Sequence, residues 1–382
     1  MKQALPTSSG MKIKWISTSE MPSGLLFSFA KMFEGKDTDQ LIKNAFTELR
    51  WVQVDDTQIF PVTINNDAIS NSFVCSPYTA YALYSRDELK HKVPNKLLQL
   101  PVLLIIKFLS LLLRWGRIDQ NVHVNNFLLS TNPYPWWNGD GIEELTRFLI
   151  HHYPKHAIIF RSLNVYQHKD LIKAIEQSAY DKIASRQVYI YDLSREVWLK
   201  KNNNKNDLRL LRKQQLTYLD HEKMGNCLED ALHLYNKLYL KKYSTFNPQF
   251  TSEYFKSCHA SETMHFQGYC DDSGKLKAFS AVFVIEDTIT SPLVGYDTDA
   301  PQKQGLYIHA IQLVMKYKFG TGKLLNLSSG AAEFKRLRGG IPAMEYSLVY
   351  TKHLPLYRRS VWKSLEWISN KVGVPIMEKY EL

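Results

Sequence analysis

The chain has 382 residues, 45% of them hydrophobic and 22% charged, an ordinary globular mix that excludes a disordered or collagen-like chain. Its length corresponds to two or three domains. The formal charge of +11 favours anionic partners, whether phosphates, nucleic acid or an anionic membrane face. The cysteines, Cys75, Cys227, Cys258 and Cys270, form no CxxC pair. That argues against a disulfide framework or zinc ribbon and fits a reducing, cytoplasmic compartment.

The opening MKQALPTSSGMKIKW has no apolar h-region, so it does not read as a signal peptide. Residues 51–54 and 59–64 pattern as paired strands around a polar turn, and 72–77 as a third strand. Residues 97–115, LLQLPVLLIIKFLSLLLRW, are nearly long enough to span a bilayer. The first reading is a buried or half-buried helix of a soluble domain. The second is an interfacial helix on an anionic membrane, with Lys90, Lys92, Lys96, Arg114 and Arg117 among the headgroups. A true span is disfavoured by Lys107 near the middle.

Strands are expected at 122–129, 157–161 and 187–191, with helices at 141–151 and 169–184 between them. The run KKNNNKN at 200–206 reads as a linker, followed by a short basic helix over 207–215. A helix over 227–243 follows. Strands come next at 264–269, 276–286 and 288–296, then a helix at 306–319. The order closes with a strand at 324–328, a short helix at 331–337, a strand at 344–350 and a helix at 355–371. No repeat of fixed period is visible.

Three meandering strands, helix, strand, helix, strand: this order resembles the GNAT acyltransferase fold. The first half resembles a weaker copy. The whole is similar to tandem GNAT proteins, including Fem-type aminoacyltransferases and peptidoglycan-biosynthesis-like acyltransferases. The resemblance covers most of residues 50–375. It rests on Ser76-Pro77-Tyr78 with Tyr81, on Gly295-Tyr296-Asp297, on Tyr307 opening a helix, and on the run from Leu327 to Lys335 with Arg338 and Gly339. It implies an α/β fold (an α+β mixed sheet) of two GNAT-like domains in tandem, each a mixed, mostly antiparallel sheet flanked by helices. The expected domains are 1–199, with an apolar helical insertion at about 86–117, and 200–382, the catalytic one.

The same resemblance implies N-acyl transfer from an activated donor, acyl-CoA or a carrier-bound thioester, to a small-molecule or peptide amine. Aminoacyl-tRNA is the alternative donor. No tightly bound cofactor is implied. Acyl-CoA enzymes of this fold carry a glycine-rich loop whose amides bind pyrophosphate at a helix N-terminus. Here that stretch is Ala300 to Tyr307, in which Lys303 and Gly305 are the cofactor-binding candidates and Gly305 alone is a poor cradle.

Acyl transfer needs a neutral amine, donors for the developing oxyanion and a proton for the leaving group. The catalytic candidates are Tyr296, Tyr307 and Lys335, with Asp297 or Glu333 as proton relay. Each has a plain alternative: Lys335 as a solvated helix residue, Glu333 in an ion pair one turn away, Asp297 in ordinary turn chemistry. Substrate-binding candidates are Ser76, Tyr78, Tyr81, Arg161, Ser328, Ser329 and Arg338. Arg209, Arg212 and Lys213 read as a solvated helix face or a docking strip for an anionic donor such as tRNA or an acyl carrier. No metal ligand set is expected. The rival readings are a non-catalytic basic module on membrane or nucleic acid, and peripheral membrane contact through 97–115.

Overall fold

The computed structural model describes residues 11–68, 70–87 and 96–380. Lys90, Lys92 and the first ten residues therefore lie outside the described residues. Twelve strands form one sheet in the order β1-β2-β3-β4-β5-β12-β6-β11-β10-β9-β8-β7. They are β1 Ile13–Ile16, β2 Glu48–Val54, β3 Gln58–Asn66, β4 Gln120–Val124, β5 Ala157–Asn164 and β6 Asp181–Tyr191, then β7 Thr217–Leu219, β8 His265–Cys270, β9 Leu276–Ile285, β10 Thr288–Tyr296, β11 Leu324–Asn326 and β12 Ile341–Tyr350. The principal helices are α1 Leu25–Phe33, α2 Thr79–Tyr84 (a π-helical segment), α3 Lys96–Trp115, α4 Ile142–His152, α5 Lys169–Gln177 and α6 Asn202–Lys213, then α7 Leu228–Tyr235, α8 Ser252–Ala260, α9 Leu306–Thr321, α10 Ala332–Leu337 and α11 Leu356–Ile368.

The two halves repeat one plan, a mostly antiparallel sheet with a single parallel pair. In the first half β4 runs parallel to β5, and in the second β10 runs parallel to β11. Strand β12, from the end of the chain, lies between β5 and β6 and so completes the first half's sheet. Thus one sheet holds strands of both halves, with β6 paired to β11.

Each face of the first-half sheet follows from strand alternation. Val62, Val122, Val124, Ile158, Phe160 and Leu348 meet α4 and α5 in one core. The opposite face, with Ile159, Ile183 and Val349, is covered by α2, α3 and α11.

Several elements differ from the sequence reading. Residues 72–77 form turns, not a strand: Cys75 and Ser76 both bond back to Ser72 carbonyl oxygen. The expected linker 200–206 is mostly the start of α6, because Asn204 is buried and donates to the carbonyls of Trp198 and Arg338. The helix expected to reach 184 ends at Gln177, and β6 begins at Asp181. Strand β4 stops at Val124, where Asn125 takes a left-handed φ of 58°.

Candidate active site

β-bulges open the sheet where the halves meet. Tyr346 on β12 faces Leu163 and Leu348 faces Phe160, so Arg161 and Ser162 oppose one residue. On the other side Glu345 faces Arg186 and Tyr346 faces Ala184, leaving Ser185 as the extra residue. Bulges re-aim side chains. Here Arg161, Ser162, Ser185, Arg186, Glu345 and Ser347 all line one cavity of about 100 Å³. Tyr81 of α2, Trp362 of α11, His123 of β4 and Ser329 complete much of its wall.

Its charge comes from two guanidiniums and one carboxylate. Arg186 donates from Nε to Glu345 Oε1 at 2.8 Å and from Nη2 to the Ser130 carbonyl at 2.6 Å. Arg161 is buried and makes no carboxylate contact among the described residues. It donates to the carbonyls of Val74, Leu129 and Ser130. Burial, reinforced by Arg186, pulls the Arg161 guanidinium down to about 10, which leaves it charged at neutral pH. His123 is held neutral, its pKa pushed down to about 3 by burial and then by Arg161. One positive charge is therefore in excess.

The Tyr81 hydroxyl of the lining faces Ser347 and His123 faces the Val74 backbone, and among the described lining residues Trp362 Nε1 is a buried polar group without a hydrogen-bond partner. Such groups are rare in a finished core, where most buried polar atoms are paired. Burial pushes the Tyr81 hydroxyl up to about 12, so it stays protonated and able to donate.

Other candidates near this cavity hold the chain in place. Ser76 Oγ donates to Asp119 Oδ2 at 2.6 Å, and Asp119 Oδ1 also accepts from the Tyr78 amide, which fixes the start of α2. Tyr78 turns away from the cavity: its hydroxyl meets Ser110 of α3 and its ring lies under Arg114.

The second-half candidates are arranged differently. Strand β10 bulges between Thr290 and Leu293, at Pro292, which has no N–H to give to the ladder. Its pairing with β11 ends there. Tyr296 and Tyr307 come together, ring centroids 5.7 Å apart, and Lys242 Nζ reaches Tyr296 Oη at 3.2 Å. Tyr307 also packs on Phe334 at 4.8 Å, and its hydroxyl is pushed well above the ordinary value by burial.

Lys335 turns the other way. Its ammonium is buried against the carbonyls of Leu327, Ser328 and Ser329, at 2.6, 3.2 and 2.8 Å. It therefore braces the loop after β11 and is not the solvated residue of the plain alternative. Ser328, at φ 58°, belongs to that loop, and Ser329 reaches the cavity.

Arg338 forms a two-pronged pair with buried Asp207 and lies over Phe334. Asp297 is paired with Lys237 at 2.8 Å, which holds its carboxyl below the usual range. Glu333, Lys303, Arg209, Arg212 and Lys213 are exposed. At Gly305, a Cβ would stand 2.2 Å from Leu210 Cδ2, so the Leu210 side chain of α6 lies against the start of α9, where Lys303 and Gly305 were the cofactor-binding candidates.

His123, Arg186, Glu345, Ser347 and Trp362 were not among the sequence candidates. One signal was available: Glu345 and Ser347 alternate along an otherwise apolar strand, which places both on one face.

No family model matches the chain, and no curated protein matches its sequence. Among solved structures, FemX superposes with a TM-score of 0.56 at 9% identity, covering 89% of this chain and 99% of FemX. The fold is that of FemX. A tandem GNAT protein from the clavulanic acid biosynthesis pathway aligns over 89% of this chain and 98% of its own, with a TM-score of 0.40 at 7% identity. The C-terminal domain of a putative lysylphosphatidylglycerol synthetase from Agrobacterium fabrum covers 60% of this chain and 79% of its own, at 13% identity and a TM-score of 0.43. The fold assignment rests on FemX.

Proposed function

We propose that this protein is an N-acyltransferase whose reacting groups meet in the cavity between the halves. The observation that carries the reading is the cavity's composition: Arg161 and Arg186 with the single carboxylate of Glu345, beside the Tyr81 hydroxyl, the His123 ring and the Trp362 indole N–H. A cavity of about 100 Å³ receives the reacting ends of two substrates and not a whole carrier.

In this reading the amine nitrogen attacks the acyl carbonyl, and the new C–N bond replaces the C–O or C–S bond to the carrier. The excess positive charge stabilises the oxyanion as it forms. The protonated Tyr81 hydroxyl donates to that oxygen or to the departing carrier atom. Glu345 orients the incoming amine and accepts its proton. Lys335 acts through the loop that carries Ser329, as a positioning residue.

The cover of Leu210 over Gly305 disfavours a pyrophosphate clasp at the start of α9. It gives carrier-borne donors, an acyl carrier or aminoacyl-tRNA, precedence over free acyl-CoA. The exposed Arg209, Arg212 and Lys213 on the outer side of α6 suit such an anionic carrier.

The test offers the full chain acyl-CoA, acyl-loaded carrier protein and aminoacyl-tRNA with a panel of amines, with the amide product read by mass spectrometry. Amide formation from a carrier-borne donor, lost in Tyr81→Phe and Arg161→Met, supports the proposal. If no donor is consumed, and reversing Arg209 and Arg212 abolishes nucleic-acid or vesicle binding, the non-catalytic binding module replaces it.

A further inference from the structure

Helix α3 exposes an apolar stripe that no described residue covers. Leu104, Phe108, Leu111 and Trp115 are 60%, 65%, 63% and 61% exposed, and Leu100 continues the row one turn earlier at 58%. Spacings of four, four, three and four residues put all of them on one side of the helix. The row runs for about 22 Å at 1.5 Å per residue. The other side of α3, with Leu109 and Leu113, is buried against α2 and α11. Tyr357 of α11 extends the patch through its ring contact with Trp115 at 5.2 Å. A soluble surface rarely leaves such a contiguous row uncovered.

Charge decides what covers it. From residue 89 to 118 the sequence has Lys90, Lys92, Lys96, Lys107, Arg114 and Arg117 and no Asp or Glu. Lys107 and Arg114 lie seven residues apart along one edge of the stripe. Neither makes an ion pair with any described residue, whereas Arg117 is paired with Asp67 at 2.7 Å. A second copy of this chain docked by a two-fold axis about Leu111 would set Lys107 against Arg114 and bury like charges together. An anionic bilayer meets both features, since acyl chains accept the stripe and lipid phosphates accept the cations at its edge. No helix among the described residues is long and apolar enough to cross a membrane.

We infer that α3 seats the protein on an anionic lipid surface, lying in the interface with Leu104, Phe108, Leu111 and Trp115 inserted and Lys107 and Arg114 at the phosphates. The seat is one helix from the cavity. Tyr78, just before α2, touches α3, and Tyr81 of α2 lines the cavity. The inference does not depend on the acyl-transfer reading.

The test is flotation of the full chain with phosphatidylcholine vesicles holding zero or 40% phosphatidylglycerol, at 0.1 M and 0.5 M salt. Binding to the anionic vesicles at 0.1 M salt is expected. It should fall at least tenfold on neutral vesicles, in 0.5 M salt, in Phe108→Ser with Leu111→Ser, and in Lys107→Glu with Arg114→Glu. All four positions are exposed, and unchanged melting temperatures confirm that the variants fold. No flotation with anionic vesicles overturns the inference, as does flotation that either double variant leaves intact. A concentration-dependent dimer that Phe108→Ser with Leu111→Ser dissociates, without vesicle binding by the parent, assigns the face to a second copy instead.

Discussion

The ammonium of Lys335 donates to the carbonyl oxygen of Ser329 at 2.8 Å, and Ser329 lines the cavity between the halves. Lys335 is thus one peptide removed from the proposed reaction space. Its ammonium is spent on the loop after β11 and does not line the cavity.

Lys335→Met removes the donor to three carbonyls and leaves them buried. A loss of about 3 kcal/mol is expected from unsatisfied polar groups, read as a lower denaturation midpoint in urea. If Lys335 were a solvated helix residue, the change would stay within about 0.5 kcal/mol.

Glu345→Gln leaves two guanidiniums with no carboxylate between them. Breaking a buried ion pair costs about 3 kcal/mol. Added sulfate should restore more of the melting temperature in this variant than in the parent, because an anion then has two guanidiniums to neutralise. Equal sulfate effects in both proteins would show that the cavity does not concentrate positive charge.

Stability against pH has a definite sign. His123, His156 and His168 have folded pKa values depressed by burial to about 3, 4 and 4. The unfolded chain binds those protons first, so stability is lost as pH falls from about 6.5 toward 4. Asp119 opposes them: burial raises its folded pKa to about 6, so its contribution is present at low pH and is lost as pH rises from about 4 to 6. Three groups against one make net acid destabilisation the expectation in urea melts between pH 7 and 4. His168→Gln should flatten the fall and Asp119→Asn should steepen it.

Gly305→Ala tests the cover on α9. The residue sits at φ 61°, and the added carbon would meet Leu210. A left-handed alanine and a displaced leucine together cost about 2 kcal/mol or more, read by thermal melting. A neutral outcome would mean that α6 stands off the start of α9 and that the phosphate position is open.

The strand-and-helix order of the second half was legible because its strands are long, apolar and separated by clear turns, as in 276–286 and 288–296. The end of β10 at Gly295-Tyr296 and the approach of Tyr307 followed from that order. The cavity was not legible. It depends on Ser185 and Arg161-Ser162 being extra residues in their ladders, and a bulge leaves no period in a sequence. It also depends on β12 crossing from one end of the chain into the first half's sheet, which brings Glu345 beside Arg186 across 159 residues. The asparagine-rich run at 200–206 misled for a different reason: composition suggests a linker, but buried hydrogen bonds from Asn204 make it the start of a helix.

The most direct measurement compares Tyr81→Phe with Tyr296→Phe in amide formation from the carrier-borne donors. The Tyr81 hydroxyl faces Ser347, so Tyr81→Phe should lower the melting temperature little while turnover falls at least tenfold, and Tyr296→Phe should keep most of the parent's turnover. The reverse pattern, with Tyr296→Phe inactive and Tyr81→Phe unaffected, would place the chemistry in the second half's tyrosine pair and contradict the assignment to the cavity between the halves.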